Sequence, residues 1–493
     1  MKRLWKPVLL IWCFSIFLPN VPVFSAEMPI LSEREYQLLE RLEITRDIQG
    51  GTAHPVTRGE MLVMAMRLSP LTRDPGAAGE QVFSDVPAGD PYGAYINTAY
   101  RRGIVSGRGD GTFGRDLPVN LQDAMVMIEQ VLGYGSAANA LGGYPGGFVL
   151  LAGQLNFLQG VTGAQGETLY FYDAVKLLYN VLYSPAPELT GTPQLIFSAG
   201  RILLNTHFDV YQTRAVVSGT AYANIYGDNP APAGYIVAGG IQYQTGGEDL
   251  LSMLGRRVNL YYRTDADGQR EIMFTEDAGN TLNQAPVRQI AEFGARRMQY
   301  YDEAGKAYTA SFAADAVFLE NDGTVDPAAG YTLPDQGGVT AIDNDGDGQA
   351  EVILIRRAET FVLTGVSTDG LTLYGQDRAV ELEEYDRFCI LDRNGEQIPP
   401  EKLEKDTVVT LYPPARTSGS LLVEQDGVFA VTTVQAMSQR NTYRGETLTY
   451  VTAADGTVFP LSPAVLEQHS VSVGYTYVFA VDPYGMIIDI MRV

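Results

Sequence analysis

Hydrophobic residues recur at two different periods along the chain, and the change of period predicts two kinds of structure. In the first third of the chain they fall at helical spacing, i, i+3, i+4 and i+7. The segment "YGAYINTAYRRGI" carries one such stripe, and Gly103 supplies the left-handed residue that ends a helix. The stripe of this helix comprises Tyr92, Tyr95, Ile96 and Ala99. The stripe of the next helix comprises Ala124, Met127, Ile128 and Val131.

Three segments share a plan of helix, glycine-rich loop and second helix. They occupy about residues 34–71, 83–133 and 144–184. One helix pair cannot bury its own apolar stripes, so the pairs must pack against each other. The sequence therefore predicts one all-α domain of three helix-loop-helix repeats over residues 34–184.

Beyond this region the hydrophobic period becomes two. The segment "YSPAPELTGTPQ" indicates a linker, which we assign to residues 185–209. Later segments such as "RRVNLYYRTDADGQREIMFTE" alternate apolar and polar residues around an Asp-Gly turn, as hairpins do. The fold class predicted is therefore multi-domain, with the all-α domain followed by several small all-β modules. The three modules cover residues 210–280, 358–428 and 430–493. A further β-rich segment covers residues 285–357, between the first two modules.

The first residues predict export. A basic start precedes the apolar run "PVLLIWCFSIFL" and the small residues of "VFSA", which is the order of a signal peptide, here residues 1–26. The alternative is a retained membrane helix, which needs about 20 apolar residues, and Pro19 and Pro22 shorten this run. We find no second apolar span. We therefore expect a secreted protein with no membrane span once the signal is removed.

Charge and cysteine content narrow the choice of partners. The chain has 58 acidic and 35 basic side chains, a net charge of −23. This charge disfavours nucleic acid and anionic membrane surfaces as partners, and it favours dissolved cations. Cys389 is the only cysteine after the expected signal, so no internal disulfide can stabilise the exported protein.

Four short motifs resemble the S-layer homology family. They are "TRGE" at 57–60, "FSDV" at 83–86, "GIVSG" at 103–107 and "DGTF" at 110–113. The resemblance implies a three-pronged helical domain on the surface of a bacterium, of Gram-positive type. It also implies binding of a secondary cell-wall polysaccharide, anionic and often pyruvylated, with an arginine of the helix-opening motif in each groove.

The helix-opening motif differs between the three copies, which read "TRGE", "NLQD" and "YFYD". Thr57 and Glu60 form a capping-box pattern, so helix capping and the helix dipole explain the acidic position of the motif in all three copies. An arginine in the first turn opposes the helix dipole, and Arg58 therefore indicates carboxylate recognition. The other two copies have Leu121 and Phe171 at this position. The candidate polymer-binding residues are Thr57, Arg58, Glu60, Gly103 and Gly107.

An acidic segment, "DNDGDGQAEVILI", is typical of a calcium loop. Its oxygen ligands stand at relative positions one, three, five, seven and nine, and Leu354 replaces the bidentate acid of an EF-hand. The candidate ligands are Asp343, Asp345, Asp347, Gln349 and Glu351. Structural calcium is one interpretation, and an acidic hairpin turn is the other.

No motif indicates an enzyme. His54, His207 and His469 lack metal-ligand spacing, and no nucleophile elbow or zinc-protease motif is present. We predict non-covalent anchoring to the cell wall, with the β modules displayed as a self-associating surface layer, a stalk or an adhesin. The alternatives are a wall-anchored polysaccharide-active enzyme, whose carboxylate pairs a sequence cannot reveal, and a degenerate scaffold without polymer binding.

Overall fold

The computed structural model describes residues 33–48, 51–76, 81–188, 196–227, 229–246, 250–415 and 419–491. The chain divides into two compact units, Met1–Ile196 and Phe197–Val493. The first is helical and the second is built of β-strands, so the predicted fold class is confirmed. The expected signal peptide, residues 1–26, lies outside the described residues.

The helical unit contains the three predicted helix pairs. The first pair is α1 (Glu33–Arg41) and α2 (Arg58–Arg67), and the second is α3 (Gly93–Arg101) and α4 (Leu121–Val131). A short helix that we did not predict, α5 (Gly135–Ala140), precedes the third pair, α6 (Gly146–Gln154) and α7 (Phe171–Leu182). The predicted apolar stripe of α4 is buried throughout. The stripe of α3 is less buried, because its N-cap Tyr92 and the helical residue Tyr95 are only partly buried.

A closed cycle of three backbone hydrogen bonds joins the copies at their centre. The N–H of Val56 donates to the carbonyl of Leu169 (2.9 Å), Leu169 donates to Val119 (2.8 Å), and Val119 donates to Val56 (2.9 Å). Each of these residues directly precedes the N-cap of α2, α4 or α7. The three second helices therefore begin at equivalent points around one pseudo-threefold centre.

The same arrangement satisfies the first backbone N–H groups of these helices, which have no partner within a helix. The first two residues of each helix donate to backbone carbonyls in the loop before another of these helices. Helix α2 donates to the loop before α4, α4 donates to the loop before α7, and α7 donates to the loop before α2. The donor and acceptor pairs are Arg58–Leu117, Gly59–Arg115, Leu121–Glu167, Gln122–Gln165, Phe171–His54 and Tyr172–Thr52, at 2.8–3.4 Å. Each helix start is thus held by a neighbouring copy.

The segment that we interpreted as a linker has regular structure. It contains strands β1 (Pro185–Glu188) and β2 (Ile196–Ile202) and helix α8 (Leu203–Phe208). Three side chains of α8 are buried, namely Leu203, Leu204 and Phe208. These apolar residues follow a proline-rich stretch, which led us to interpret the whole segment as a linker. Their burial explains why the segment has regular structure instead.

The second unit begins with a closed five-stranded barrel and a seven-stranded sheet. The barrel, in the order β3-β4-β5-β7-β6, has strands β3 (Tyr211–Gly219), β4 (Tyr235–Ala238), β5 (Ile241–Gln244), β6 (Arg257–Thr264) and β7 (Arg270–Asp277). The sheet has the order β8-β13-β14-β11-β10-β9, with β12 paired to β11. Its strands are β8 (Thr281–Pro286), β9 (Ile290–Phe293), β10 (Arg297–Tyr301), β11 (Ala307–Glu320), β12 (Gly323–Thr324), β13 (Gly337–Asp343) and β14 (Gln349–Arg357).

Three further sheets complete this unit. A four-stranded sheet has the order β15-β20-β21-β19, a small sheet contains β16-β17-β18, and a six-stranded sheet has the order β22-β26-β27-β25-β24-β23. Their strands are β15 (Glu359–Leu363), β16 (Gly365–Val366), β17 (Thr372–Tyr374), β18 (Ala379–Glu381), β19 (Arg387–Leu391), β20 (Thr407–Tyr412), β21 (Ser420–Glu424), β22 (Val428–Thr433), β23 (Ala436–Asn441), β24 (Thr447–Thr452), β25 (Val458–Leu461), β26 (Thr476–Val481) and β27 (Ile487–Met491). A short helix, α9 (Pro463–Gln468), lies between β25 and β26.

One hydrophobic core is shared between several of these sheets. Tyr222 and Leu254, from loops of the barrel segment, pack in one cluster with Leu319 and Ile342 of the seven-stranded sheet and with Leu422 of the four-stranded sheet. Burying these side chains together removes more apolar surface from water than separate small sheets could. The barrel segment, the seven-stranded sheet and the four-stranded sheet therefore pack together through this core.

The helical unit also contains a buried acid that the sequence pattern did not reveal. Glu129 of α4 is 0% exposed, and neither of its carboxylate oxygens has a hydrogen-bond partner among the described residues. Burial raises the pKa of Glu129 to about 9, because the charged form loses its contact with water. The carboxyl group is therefore neutral at pH 7.

This burial predicts a pH-dependent cost that Glu129→Gln removes. The unfolded state loses the Glu129 proton above its ordinary pKa of 4.5, whereas the folded state keeps it up to about pH 9. Wild-type stability should therefore fall, relative to the variant, by about 1.4 kcal/mol per pH unit between these limits. Urea unfolding of the helical signal from pH 4 to pH 9 measures the difference. Glu40→Gln, at an exposed position of α1, is the control, and parallel pH profiles for wild type and Glu129→Gln would contradict the prediction.

Candidate functional site

Arg58 occupies the first position of α2, directly after the N-cap Thr57. The Thr57 hydroxyl accepts from the Glu60 backbone N–H (3.2 Å), and the Glu60 carboxylate accepts from the Thr57 N–H (2.8 Å). The predicted capping box is therefore confirmed. His54 Nε2 lies 3.1 Å from the same carboxylate and fixes it further. Thr57 and Glu60 thus hold the helix start that carries Arg58.

The Arg58 guanidinium has donors that the protein does not use. It lies 4.8 Å from the centre of the Phe113 ring, and Nη2 donates to the Ser106 carbonyl at 3.2 Å. Nε is buried without a hydrogen-bond partner. No acidic side chain of the described residues forms an ion pair with Arg58 within 4.0 Å. Burial lowers the pKa of Arg58, and nearby Asp123 offsets this only in part.

Side chains from the other two copies face Arg58. Tyr144, which precedes α6, donates from its hydroxyl to Asp123 Oδ1 (3.1 Å) and accepts from Gln122 Nε2 (3.2 Å). Tyr144 is 61% exposed. Asp123 and Tyr144 both lie close enough to Arg58 to influence its pKa. We call Arg58, Phe113, Gln122, Asp123 and Tyr144 the Arg58 groove, after the groove that the family resemblance implies.

Two of the candidate binding residues have clear structural roles. Gly103 has a φ of +71° at the end of α3, a conformation that favours glycine. At Gly107 an added Cβ would lie 2.5 Å from the Phe83 ring, so only glycine allows this packing. The loop between them supplies the Ser106 carbonyl that holds Arg58. Contact of either glycine with a ligand stays a prediction.

Asp85 holds the loop beneath Arg58. Its carboxylate accepts from the backbone N–H groups of Phe113 (2.8 Å), Gly114 (2.7 Å) and Arg115 (3.1 Å). Burial alone would raise the pKa of Asp85, but these donors outweigh it and lower the pKa below its ordinary value. Asp85 belongs to the "FSDV" motif, but the sequence did not reveal its partners, because they lie about 30 positions further along the chain.

The corresponding positions in the second and third copies are closed. Leu121 is 3% exposed and Phe171 is 1% exposed, so both side chains are packed inside the unit. The other two copies lack a complete capping box, although Asp123 and Asp173 do lie in the first turn of their helices, where the helix dipole favours an acid. Only the Glu60 carboxylate bonds to its N-cap backbone, because the Asp123 carboxylate accepts from Tyr144 and that of Asp173 accepts from the Thr162 N–H (2.7 Å). Asp123, Gln122 and Tyr144 are groove residues that sequence reasoning missed.

The second unit contains the predicted acidic cluster, where β13 turns into β14. Asp343, Asp345, Asp347 and Glu351 each offer a carboxylate oxygen, and these oxygens lie within 4.8 Å of one another. The cluster could therefore hold a metal ion. Burial raises the pKa of Glu351, and Asp345 and Asp343 add to this effect. Gln349 is the first residue of β14, and its carbonyl stays a predicted ligand.

Comparison with known proteins supports the resemblance found in the sequence. Residues 82–125 match the S-layer homology domain, so the predicted resemblance is confirmed. A "Cell surface protein" of Thermoanaerobacter kivui is 23% identical over 234 residues. That alignment covers 44% of this chain and 30% of the relative, so the chain matches less than a third of the relative's length. Among the described residues, none of the helices has both the length and the apolar character that crossing a membrane requires.

The role of Asp85 predicts that Asp85→Asn destabilises the helical unit. The amide keeps one acceptor oxygen but removes the charge and turns an N–H₂ group towards backbone donors, at a cost of about 3 kcal/mol. The loss should be full at neutral pH and should shrink as acid protonates the wild-type carboxylate, whose pKa is lowered. Urea unfolding measures it. Asp110→Asn is the control, since exposed Asp110 accepts only from Thr112 in the same loop, and equal losses would contradict the assignment.

Proposed function

We propose that this chain, with its S-layer homology match, anchors a bacterial surface protein non-covalently to an anionic cell-wall polysaccharide through the Arg58 groove. The family match and the cell-surface relative support the general role and the location at the cell surface. The observation that carries the proposal is the Arg58 guanidinium, which has a buried nitrogen without a partner and no ion pair among the described residues.

The chemistry of the groove suits an acidic sugar. A guanidinium binds a carboxylate through two parallel hydrogen bonds, and the Phe113 ring supports Arg58 in one orientation before the ligand arrives. The exposed Tyr144 ring offers an apolar face to a sugar ring, while Asp123 and Gln122 can bond its hydroxyl groups. Thr57, Glu60, Gly103 and Gly107 position the helix and the loop that form this groove.

One groove carries the attachment in this proposal. The buried Leu121 and Phe171 favour a scaffolding role for the equivalent positions of the second and third copies. In the degenerate-scaffold alternative no copy binds polymer, and the cell-wall experiment below distinguishes it from this proposal. A single charge-based contact predicts binding that weakens with salt.

The remaining assignments complete the proposal. We infer export by the N-terminal signal to the envelope of a Gram-positive type of bacterium, a non-enzymatic role, and no partnership with nucleic acid. The β unit would be displayed at the surface as part of a self-associating layer, a stalk or an adhesin. Its shared core favours display as one body.

The anchoring proposal predicts that Arg58→Gln releases the protein from purified bacterial cell walls. Loss of a charge-assisted bidentate contact should weaken binding by about 10- to 100-fold. Co-sedimentation of the whole protein with wall preparations, at several salt concentrations, measures the effect. Arg102→Gln is the matched control, because Arg102 is an exposed arginine of the second copy. Equal retention of wild type and Arg58→Gln would move the site elsewhere, and no retention of wild type would remove the anchoring role.

We also propose that the acidic cluster binds calcium as a structural ion. Four carboxylates within 4.8 Å repel one another without a cation, and oxygen ligands of this kind suit calcium. The Asp343 carboxylate accepts from the N–H groups of Asp345, Gly346 and Gly348, which already fixes the loop in a curved form.

Calcium should raise the melting temperature of the β unit, and a chelator should lower it. At 100 times the dissociation constant the gain is about 2.7 kcal/mol. Differential scanning calorimetry in calcium, magnesium and chelator measures it, and Asp347→Asn should reduce the calcium response. Asp267→Asn, in the similar turn that starts at Asp265, should leave the response unchanged. Identical melting in calcium and chelator would favour the acidic-turn interpretation.

A further inference from the structure

One face of the seven-stranded sheet packs on the shared core through residues such as Ile342 and Leu354, and beyond these residues it carries a glycine and an arginine side by side. Across β8, β13 and β14, Pro286 pairs with Gly338 and Gly338 with Arg356. In the next row on the same face Gln284 pairs with Thr340, and Thr340 pairs with the core residue Leu354. Side chains alternate between faces along a strand. The intervening residues of the three strands, Ala285, Val339 and Ile355, belong to the buried core on the other face.

A cavity of about 320 Å³ lies on this face, beside the glycine and the arginine. Gln284, Gly338, Thr340, Arg356 and Tyr484 are among the residues that line it. The Tyr484 ring covers Gly338 so closely that an added Cβ would lie 2.5 Å from the ring. The missing side chain at position 338 therefore lets this ring form one wall of the cavity.

The wall formed by Tyr484 is held in place. The Asp482 carboxylate accepts from the Tyr484 N–H at 2.9 Å, and Arg288 Nη1 donates to the Tyr484 carbonyl at 2.6 Å. Its hydroxyl lies 3.5 Å from that of Tyr412. The cavity is thus formed before any ligand binds, which limits the entropy lost on binding.

Arg356 gives the cavity its charge. Its guanidinium carbon lies 5.5 Å from the Tyr222 ring centre and 5.2 Å from that of Tyr412. Nη1 is buried without a hydrogen-bond partner, and no carboxylate within the described part of the chain lies within ion-pair distance, 4.0 Å, of Arg356. The neighbouring Arg357 does have such a partner, Glu320, at 3.5 Å.

An unpaired arginine at this position needs a physical reason. Removing a cation from water without an ion-pair partner is costly. Burial lowers the pKa of Arg356, and Tyr222 together with Glu424, which lies beyond ion-pair distance, outweighs this effect and raises it. Two tyrosine rings fix the guanidinium plane. A fixed, unpaired guanidinium in a preformed cavity is suited to a ligand that brings the negative charge with it.

We propose that this cavity binds a small anion that carries a carboxylate group, either a free organic acid or an acidic sugar. Arg356 binds the carboxylate, and Gln284, Thr340 and Tyr484 bond to hydroxyl groups. The volume lies at the lower end of the range for small-molecule sites and fits one sugar unit or a small acid. The site belongs to the β unit, and the proposal does not depend on wall attachment through Arg58.

Calorimetric titration of the whole protein in an Arg58→Gln background tests the proposal without a contribution from the Arg58 groove. Glucuronate is the acidic-sugar probe, succinate the organic-acid probe, and glucose the neutral match to glucuronate. We expect saturable one-to-one binding of at least one acid, at least 10-fold tighter than binding of glucose. Tighter binding of glucuronate than of succinate would identify an acidic sugar, and the reverse order would identify a free acid.

Variants of the lining residues locate the binding. Arg356→Gln should abolish it, and Gln284→Ala and Thr340→Val, at accessible positions of the cavity, should each weaken it about 10-fold. Arg440→Gln is the matched control, because Arg440 also lies over a tyrosine ring, that of Tyr450, but outside this cavity. If Arg356→Gln fails to fold, the affinities of Gln284→Ala and Thr340→Val for the acids test the proposal instead. No saturable binding of either acid up to 10 mM, equal binding of glucose, or unchanged binding in Gln284→Ala and Thr340→Val would each overturn the proposal.

Discussion

The helical unit depends on the closed cycle of backbone hydrogen bonds through Val56, Val119 and Leu169. The cycle fixes where the three second helices begin, and each beginning is completed by a loop of another copy. The surroundings of Arg58 therefore do not come from its own repeat alone. The ring beneath it, the loop carbonyl beside it and the acid and tyrosine opposite it come from the other two copies, so the groove exists only when all three copies close.

Sequence patterns predicted the parts of this structure that local physics determines. The helix pairs, the capping box of Thr57 and Glu60 and the alternation of the strands all follow from spacing and from side-chain hydrogen bonding within a few residues. The acidic cluster near Asp343 was also predictable, since its four carboxylates lie within nine positions of one another. These features need no knowledge of the tertiary fold.

Features that depend on distant contacts were not predictable. Tyr144 joins Asp123 only because the third copy closes against the second, and Glu129 looked like an ordinary polar position of α4. Arg356 occupies a strand position where alternation permits a polar side chain, and nothing local indicates that it lacks a carboxylate partner. The shared core was hidden for the same reason, because its residues are spread from Tyr222 to Leu422.

The central cycle has a consequence for how the copies can diverge. It uses main-chain atoms alone, so substitutions that keep a non-proline residue at these three places leave its hydrogen bonds intact. The residue after the N-cap can therefore differ between copies, as Arg58, Leu121 and Phe171 do, without loss of these hydrogen bonds. The three copies can thus share one architecture even where their motifs differ. A repeat whose motif is no longer recognisable in the sequence can still be a complete part of the domain.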